Sequence, residues 1–270
     1  MVSRGTKVKE FLNDAIKDAS ALIPFKYLHR GADFSIVKRA FPAALTMPKF
    51  DNRRLLWDHA IEGFGLRQKP MTYVEFGVWR GESIKYFAER NQSEYSRFIG
   101  LDSFEGLPEE WLGHHGKGAF DENGNIPEVD DQRIHFIKGW FQDTWAAAER
   151  LVAESKSNDL LVHFDADVYS STLFALTSVN AVGKKYLAIF DEFSGEESRA
   201  VYHYCQAYGA GIEFLAGSPA TRKYPIRVLC WITPRPLRSE PAVATPSGLQ
   251  GTRLRTLDES SESRTLGREL

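Results

Sequence analysis

Two apolar runs of this sequence end in paired acids, His163-Phe164-Asp165-Ala166-Asp167 and Phe190-Asp191-Glu192. Carboxylates that meet in one crevice repel each other and raise one another's pKa unless a cation neutralises them. Oxygen-only donors suit a hard ion such as Mg²⁺, which keeps waters and accepts substrate oxygens. Upstream, Glu75-Phe76-Gly77-Val78-Trp79-Arg80-Gly81-Glu82-Ser83 sets two glycines four apart. Such a turn lets a ligand approach the backbone just ahead of a helix N-terminus, although a tight structural turn would want the same residues. The spacing is not that of the dinucleotide fingerprint G-x-G-x-x-G. Asp102 and Ser103 follow about 20 residues or more past this turn, where nucleotide-binding sheets hold a ribose diol; the plainer reading is a turn cap. Gly139-Trp140-Phe141 adds an aromatic pair that could cover a planar base or pack in the core, with Asp143 or Thr144 capping the next helix. His163 reads as a core histidine, and His114 and His115 sit in a long loop, 109–131, that could act as a lid.

These groups gain meaning only if the chain brings the run ends together. Strand-like segments are expected at Thr72–Val78, Arg97–Phe104, Arg133–Lys138, Asp159–Asp165, Lys185–Asp191, Gly211–Leu215 and Ile226–Thr233. Helical segments Glu82–Asn91, Asp143–Ser155, Ser171–Val182 and Glu197–Tyr208 alternate with them. The alternation predicts an α/β fold, a mostly parallel sheet with helices on both faces. The short connection between the last two strands predicts a hairpin and an antiparallel edge. Ligands of such sheets bind beyond the strand carboxyl ends, where the four acids would then converge.

Outside this region the chain changes character. Val8, Phe11, Leu12, Ala15, Ile16, Ala19, Leu22 and Ile23 recur at helical spacing before Pro24, which predicts an amphipathic helix packed on its own domain, on a sister copy or on a membrane surface. After Pro234 there is no Phe, Trp, Tyr, His or Cys, so that stretch has too little apolar surface to offset its ordering entropy. The expected division is a helical N-terminal appendage at residues 1–49, one α/β domain at 50–233 and a disordered tail at 234–270. Basic and acidic residues number 34 and 36, and the net charge of −2 argues against binding nucleic acid by bulk charge. Cys205 and Cys230 make no disulfide framework. No apolar stretch approaches the roughly 18 residues of a membrane span. A cytoplasmic location is the expectation.

EFGVWRGES, GLDSFEGLPEEW, KGAFDENGNIP, KGWFQDT and DADVYSST occur in the order seen in the TylF/MycF-type (macrocin O-methyltransferase-like) class I methyltransferases, which the chain resembles from about Phe50 to Tyr208. The resemblance implies a Rossmann-like class I methyltransferase sandwich, a seven-stranded sheet whose last strand is antiparallel. It also implies S-adenosylmethionine as methyl donor. By position, Glu75, Gly77 and Gly81 would form the methionine-side loop with Ser83 at the next helix. Asp102 and Ser103 would meet the ribose, and Gly139 and Trp140 the adenine. Asp165 and Asp191 match the family's metal-binding carboxylates, and Glu192 stands where the family commonly has Asp.

The resulting expectation is an O-methyltransferase assisted by Mg²⁺ on Asp165, Asp191 and Glu192, with Asp165 as the base. The acceptor would be a hydroxyl of a sugar or other small natural product or glycan, and a homodimer through the N-terminal helices is left open. Two alternatives stand beside it: an NAD-dependent oxidoreductase on a similar sheet, and a methyltransferase-fold protein without catalysis.

Overall fold

Apolar and aromatic runs form the sheet first. In the computed structural model, which describes residues 4–111, 114–219 and 224–235, seven strands are present. They are β1 (Thr72–Phe76), β2 (Arg97–Asp102), β3 (Ile134–Lys138), β4 (Leu160–Phe164), β5 (Tyr186–Phe190), β6 (Gly211–Pro219) and β7 (Pro225–Thr233). Every residue of β1, β4 and β5 is buried, as expected for central strands covered on both faces. The order across the sheet is β3-β2-β1-β4-β5-β7-β6. Strands β1 to β5 pair in parallel, and β7 is antiparallel to both β5 and β6. The seven-stranded sheet with an antiparallel last strand is therefore present, and the last two strands form the expected antiparallel pair at the edge, with β7 between β5 and an outermost β6.

The helices are α1 (Arg4–Ala21), α2 (Phe25–Ala40), α3 (Pro42–Thr46), α4 (Arg53–Glu62), α5 (Glu82–Arg90), α6 (Phe141–Ala153), α7 (Tyr169–Asn180) and α8 (Ser198–Tyr208). Alternate strand residues feed two cores. Val74, Phe76, Leu101 and Phe164 pack with Trp145 of α6, Leu176 of α7 and Val201 of α8. Tyr73, Phe98, Leu161 and Ile189 pack on the other face with Trp57 of α4 and Phe87 of α5. No described helix is long and apolar enough to cross a membrane. Cys230 is buried and Cys205 half-buried, both as free thiols.

The spacing before Pro24 is met by α1, whose Phe11, Leu12 and Ile16 are exposed at 73%, 53% and 66%. Sequence spacing did not reveal α2, α3 or α4. Val37 of α2 and the following Phe41, Ala44 and Met47 belong to the core on the α6–α8 face. Phe41 contacts the rings of Phe193, Tyr202 and Phe214. This packing runs through the stretch expected as an appendage. Of the expected tail, residues from 236 onward lie outside those described.

Because Phe41 fills a closed aromatic cluster, Phe41→Ala should cost about 3–5 kcal/mol through lost burial and the cavity left behind. Denaturant unfolding of the full chain measures it.

Candidate active site

Strand order reverses between β1 and β4, which places a ligand crevice at their carboxyl ends. A cavity of about 680 Å³ opens there, lined by residues that follow β1, β2, β3, β4 and β5. Gly77 and Trp79 come from the first, Asp102 and Ser103 from the second, Trp140 from the third, Asp165 and Asp167 from the fourth, and Asp191 and Glu192 from the fifth. The exposed His114 and His115 border it from the long loop. Trp79 and Asp167 both adopt left-handed backbone, at φ 49° and 59°, which costs energy and clusters at ligand sites.

On the nucleotide side, the turn after β1 is held by Asp102. Its Oδ2 accepts the Val78 and Trp79 N–H groups at 2.7 and 2.8 Å, and its Oδ1 accepts that of Phe104 at 2.7 Å. Gly77, at φ 90°, lies so close to β4 that a Cβ would run into the Asp165 carbonyl oxygen. Gly81 is the left-handed N-cap of α5 and, unlike Gly77, does not line the cavity. Ser103 is buried, its hydroxyl accepting the Glu105 N–H at 3.1 Å. Of the aromatic pair, Trp140 is 38% exposed on the cavity wall. Phe141 borders the cavity too, but stands edge-on against core Phe76. Gly139, at φ 143°, precedes them without lining the cavity. Neither Asp143 nor Thr144 caps α6, which starts at Phe141 without a side-chain cap. The Thr144 hydroxyl donates instead to the Trp140 carbonyl at 2.9 Å.

Glu75 and Ser83 lie beneath the cavity. Glu75 is fully buried, and its Oε1 accepts the Ser83 hydroxyl. The same oxygen lies 3.1 Å from the Tyr73 hydroxyl and 3.0 Å from Nδ1 of the fully buried His163. The register pairs Glu75 with His163 across β1 and β4, so the two side chains share a face. On its other side, His163 Nε2 is 3.8 Å from Asp191 Oδ1. Burial alone would lower the His163 pKa, but the carboxylates of Asp191, Glu75 and Asp165 outweigh it and hold the pKa at about 10. His163 is a core histidine, as expected, set between the carboxylates of Glu75 and Asp191.

Asp165, Asp191 and Glu192 all reach the cavity wall, but their situations diverge. Burial, then the neighbouring Asp191 and Asp167, push Asp165 well above the carboxylate range. Asp167 rises to about 7 by burial and the charges of Asp191 and Asp102, and Glu192 to about 8 by burial and Asp191. Asp191 goes the other way, to about 2: burial opposes ionisation, and His163 and Arg227 overcome it. Both Asp191 oxygens accept from the Arg227 guanidinium, at 2.8 and 2.9 Å. Among the described residues, the trio whose ligand atoms lie within 4.8 Å of one another is Glu75, His163 and Asp165, not the trio expected from sequence.

Sequence reasoning missed Arg227, Glu197 and Trp111. The signal for Arg227 was a lone cation near the start of an apolar strand, Ile226–Thr233. Glu197 belongs to a π-helical turn, Phe193–Glu197, and its carboxylate accepts the Glu192 N–H at 2.9 Å. Trp111 reaches the cavity from the loop after β2.

The sequence profile of the macrocin-O-methyltransferase (TylF) family matches residues 42–209, more than half of the chain. The chain belongs to this family. Over 164 residues this TylF-family chain is 28% identical to 8-demethyl-8-(2,3-dimethoxy-alpha-L-rhamnosyl)-tetracenomycin-C 4'-O-methyltransferase of Streptomyces olivaceus, covering 52% of this chain. The chain spans 60% of that relative's length. Among solved structures, a TDP-rhamnose 3'-O-methyltransferase of calicheamicin biosynthesis is similar at TM-score 0.42 and 19% identity, covering 86% of this chain and 96% of its own. An O-methyltransferase of Bacillus cereus, solved with SAH, is similar at TM-score 0.40 and 15% identity, covering 80% and 94%.

In this TylF-family chain three N–H groups depend on Asp102. Asp102→Ala should cost about 1.5–3 kcal/mol, the range for hydrogen bonds to a charged group. Hydrogen exchange should show faster exchange at Val78, Trp79 and Phe104, with the amides of β1 itself unchanged.

Proposed function

We propose that the chain transfers the methyl group of S-adenosylmethionine to a hydroxyl of a sugar-type acceptor. The observation that carries this reading is one cavity with two chemically distinct sides in a member of the TylF family. A backbone turn, Asp102 and Trp140 face it from β1 to β3, and Asp165, Asp167 and Glu192 face it from β4 and β5. The sugar-type acceptor rests on the Streptomyces olivaceus relative, whose name specifies a rhamnosyl substrate.

The cofactor fits the first side. Gly77 lets the turn lie against the Asp165 backbone at the cavity edge, Asp102 can offer carboxylate edges to a diol while it holds the turn, and the Trp140 ring is open to stack on a base. Glu75, Ser83 and Gly81 act on that turn from below, through α5 and the His163 network. The second side fits a divalent cation by its donors, the hard carboxylate oxygens of Asp165, Asp191 and Glu192 on one cavity wall. Asp165, Asp191 and Glu192 would hold it. When bound, the sulfonium supplies the methyl group and the cation a Lewis acid that polarises the acceptor hydroxyl. Asp165, with its raised pKa, takes the proton that the hydroxyl loses. The buried His163 keeps the carboxylates of Glu75 and Asp191 in place, and Trp111, Phe120 and Trp140 line the cavity above them. The exposed apolar face of α1 supports pairing with a second copy of the chain.

Binding of S-adenosylmethionine by calorimetry, with none of NADH, separates this reading from an oxidoreductase. Label from the methyl group should move to methyl α-L-rhamnoside or a rhamnosylated aglycone. Asp165→Asn should lower kcat by about 10²–10⁴-fold with cofactor affinity kept. Equal turnover by the variant would remove Asp165 as the base, and a chain that binds the cofactor but methylates no sugar hydroxyl would remove the acceptor class. Leu12→Asp with Ile16→Asp should convert a dimer to a monomer in light scattering, and a wild-type monomer would dismiss the pairing.

A further inference from the structure

At the strand-end acids one carboxylate already has a cation. Arg227 reaches Asp191 with two parallel N–H···O bonds of 2.8 and 2.9 Å, the fork-to-fork arrangement that is strongest for this pair. Both partners are largely withdrawn from water, with side-chain exposures of 19% and 8%, so solvent screens the pair weakly. Arg227 comes from β7 and does not itself line the cavity, whereas Asp191 does. The guanidinium therefore holds Asp191 from behind while the carboxylate presents its face to the ligand space. It is a rigid placement: β7 is hydrogen-bonded to β5 on one side and β6 on the other.

The neighbouring acids have no such partner. Asp165, Asp167 and Glu192 have no ion pair with Lys or Arg among the described residues, although Asp165 feels the charge of His163. A divalent ion entering between them would have to share Asp191 with a positive charge fixed at hydrogen-bonding distance. Two cations on one carboxylate repel each other, and two of the oxygen lone pairs are already committed.

We propose that Arg227 is an internal competitor of the divalent cation for Asp191. While the guanidinium holds both oxygens, the strand-end acids bind a divalent ion weakly, and their charge is partly balanced with no metal present. Removing Arg227 turns the same acids into a tighter site. This rests on the metal reading proposed above and refines it: the metal at this site binds against a resident cation.

The test uses the full chain, stripped with EDTA, and Mn²⁺ as the probe, read by electron paramagnetic resonance of the free ion. Arg227→Gln should bind Mn²⁺ at least about tenfold more tightly than wild type, because one repelling charge has gone. In EDTA the same variant should melt at a lower temperature than wild type, and Mn²⁺ should restore it while leaving the wild-type Tm nearly unchanged. Arg227→Lys keeps a charge but loses the fork, so it should gain affinity by a smaller factor; it carries the test if Arg227→Gln does not fold. Equal Mn²⁺ affinity in wild type and both variants overturns the competition. If that equal affinity is tight, the metal reading survives alone; if no protein binds Mn²⁺ at all, both fall together.

Discussion

A buried histidine set between carboxylates is the constraint on which the ligand side of this molecule depends. Glu75 and His163 sit on adjacent β1 and β4 and Asp191 just past the end of β5, and charges there cannot be left unmatched away from water. His163 answers Glu75 at 3.0 Å and faces Asp191 at 3.8 Å; Arg227 answers Asp191 from β7. The sheet fixes who meets whom. Glu75 pairs with His163 in register, and Asp191 lies two residues beyond Ile189, the β5 partner of His163. A slip of one residue in any of these strands would turn its acid to the opposite face and leave a lone charge in the core.

From this network the cavity inherits its two sides. Glu75 binds the Ser83 hydroxyl and so ties α5 to β1, while Asp102 ties the intervening turn to β2. On the β4 and β5 side Asp165, Asp167 and Glu192 line the cavity with no Lys or Arg ion pair among the described residues. Burial and the neighbouring Asp191 raise the pKa values of Asp165, Asp167 and Glu192 where they line the cavity. The π-helical turn after β5 supports this side, since the Glu197 carboxylate beneath it holds the Glu192 N–H.

Much of the architecture was legible in the sequence. All seven strands lie within a few residues of their expected positions, because fully buried central strands write themselves as short apolar runs. The helices after them are marked by periodic apolar residues. Other elements left no such mark. Helix α2 carries little segregation of apolar from polar residues, and its buried Val37 makes sense only with Phe41, Ala44 and Met47 on the face of the sheet. The candidate site divided in the same way. The strand-end residues Asp102, Asp165 and Asp191 were found because a parallel sheet must bring its carboxyl ends together. Whether a residue there faces the ligand or the core was beyond spacing alone, and Glu75 and Ser83 proved to be underneath.

By itself the sequence determined which residues end the strands, and therefore which acids and glycines share one end of the sheet. That follows from local pattern, since burial on both faces demands apolar runs and their interruption by Asp, Glu or Gly marks the exit. Only the tertiary structure decided how those charges are matched. Arg227 is 36 residues from Asp191 along the chain, and it reaches that acid because β7 inserts antiparallel beside β5. Charge pairing across a sheet is set by strand order and register, which no local stretch of sequence encodes.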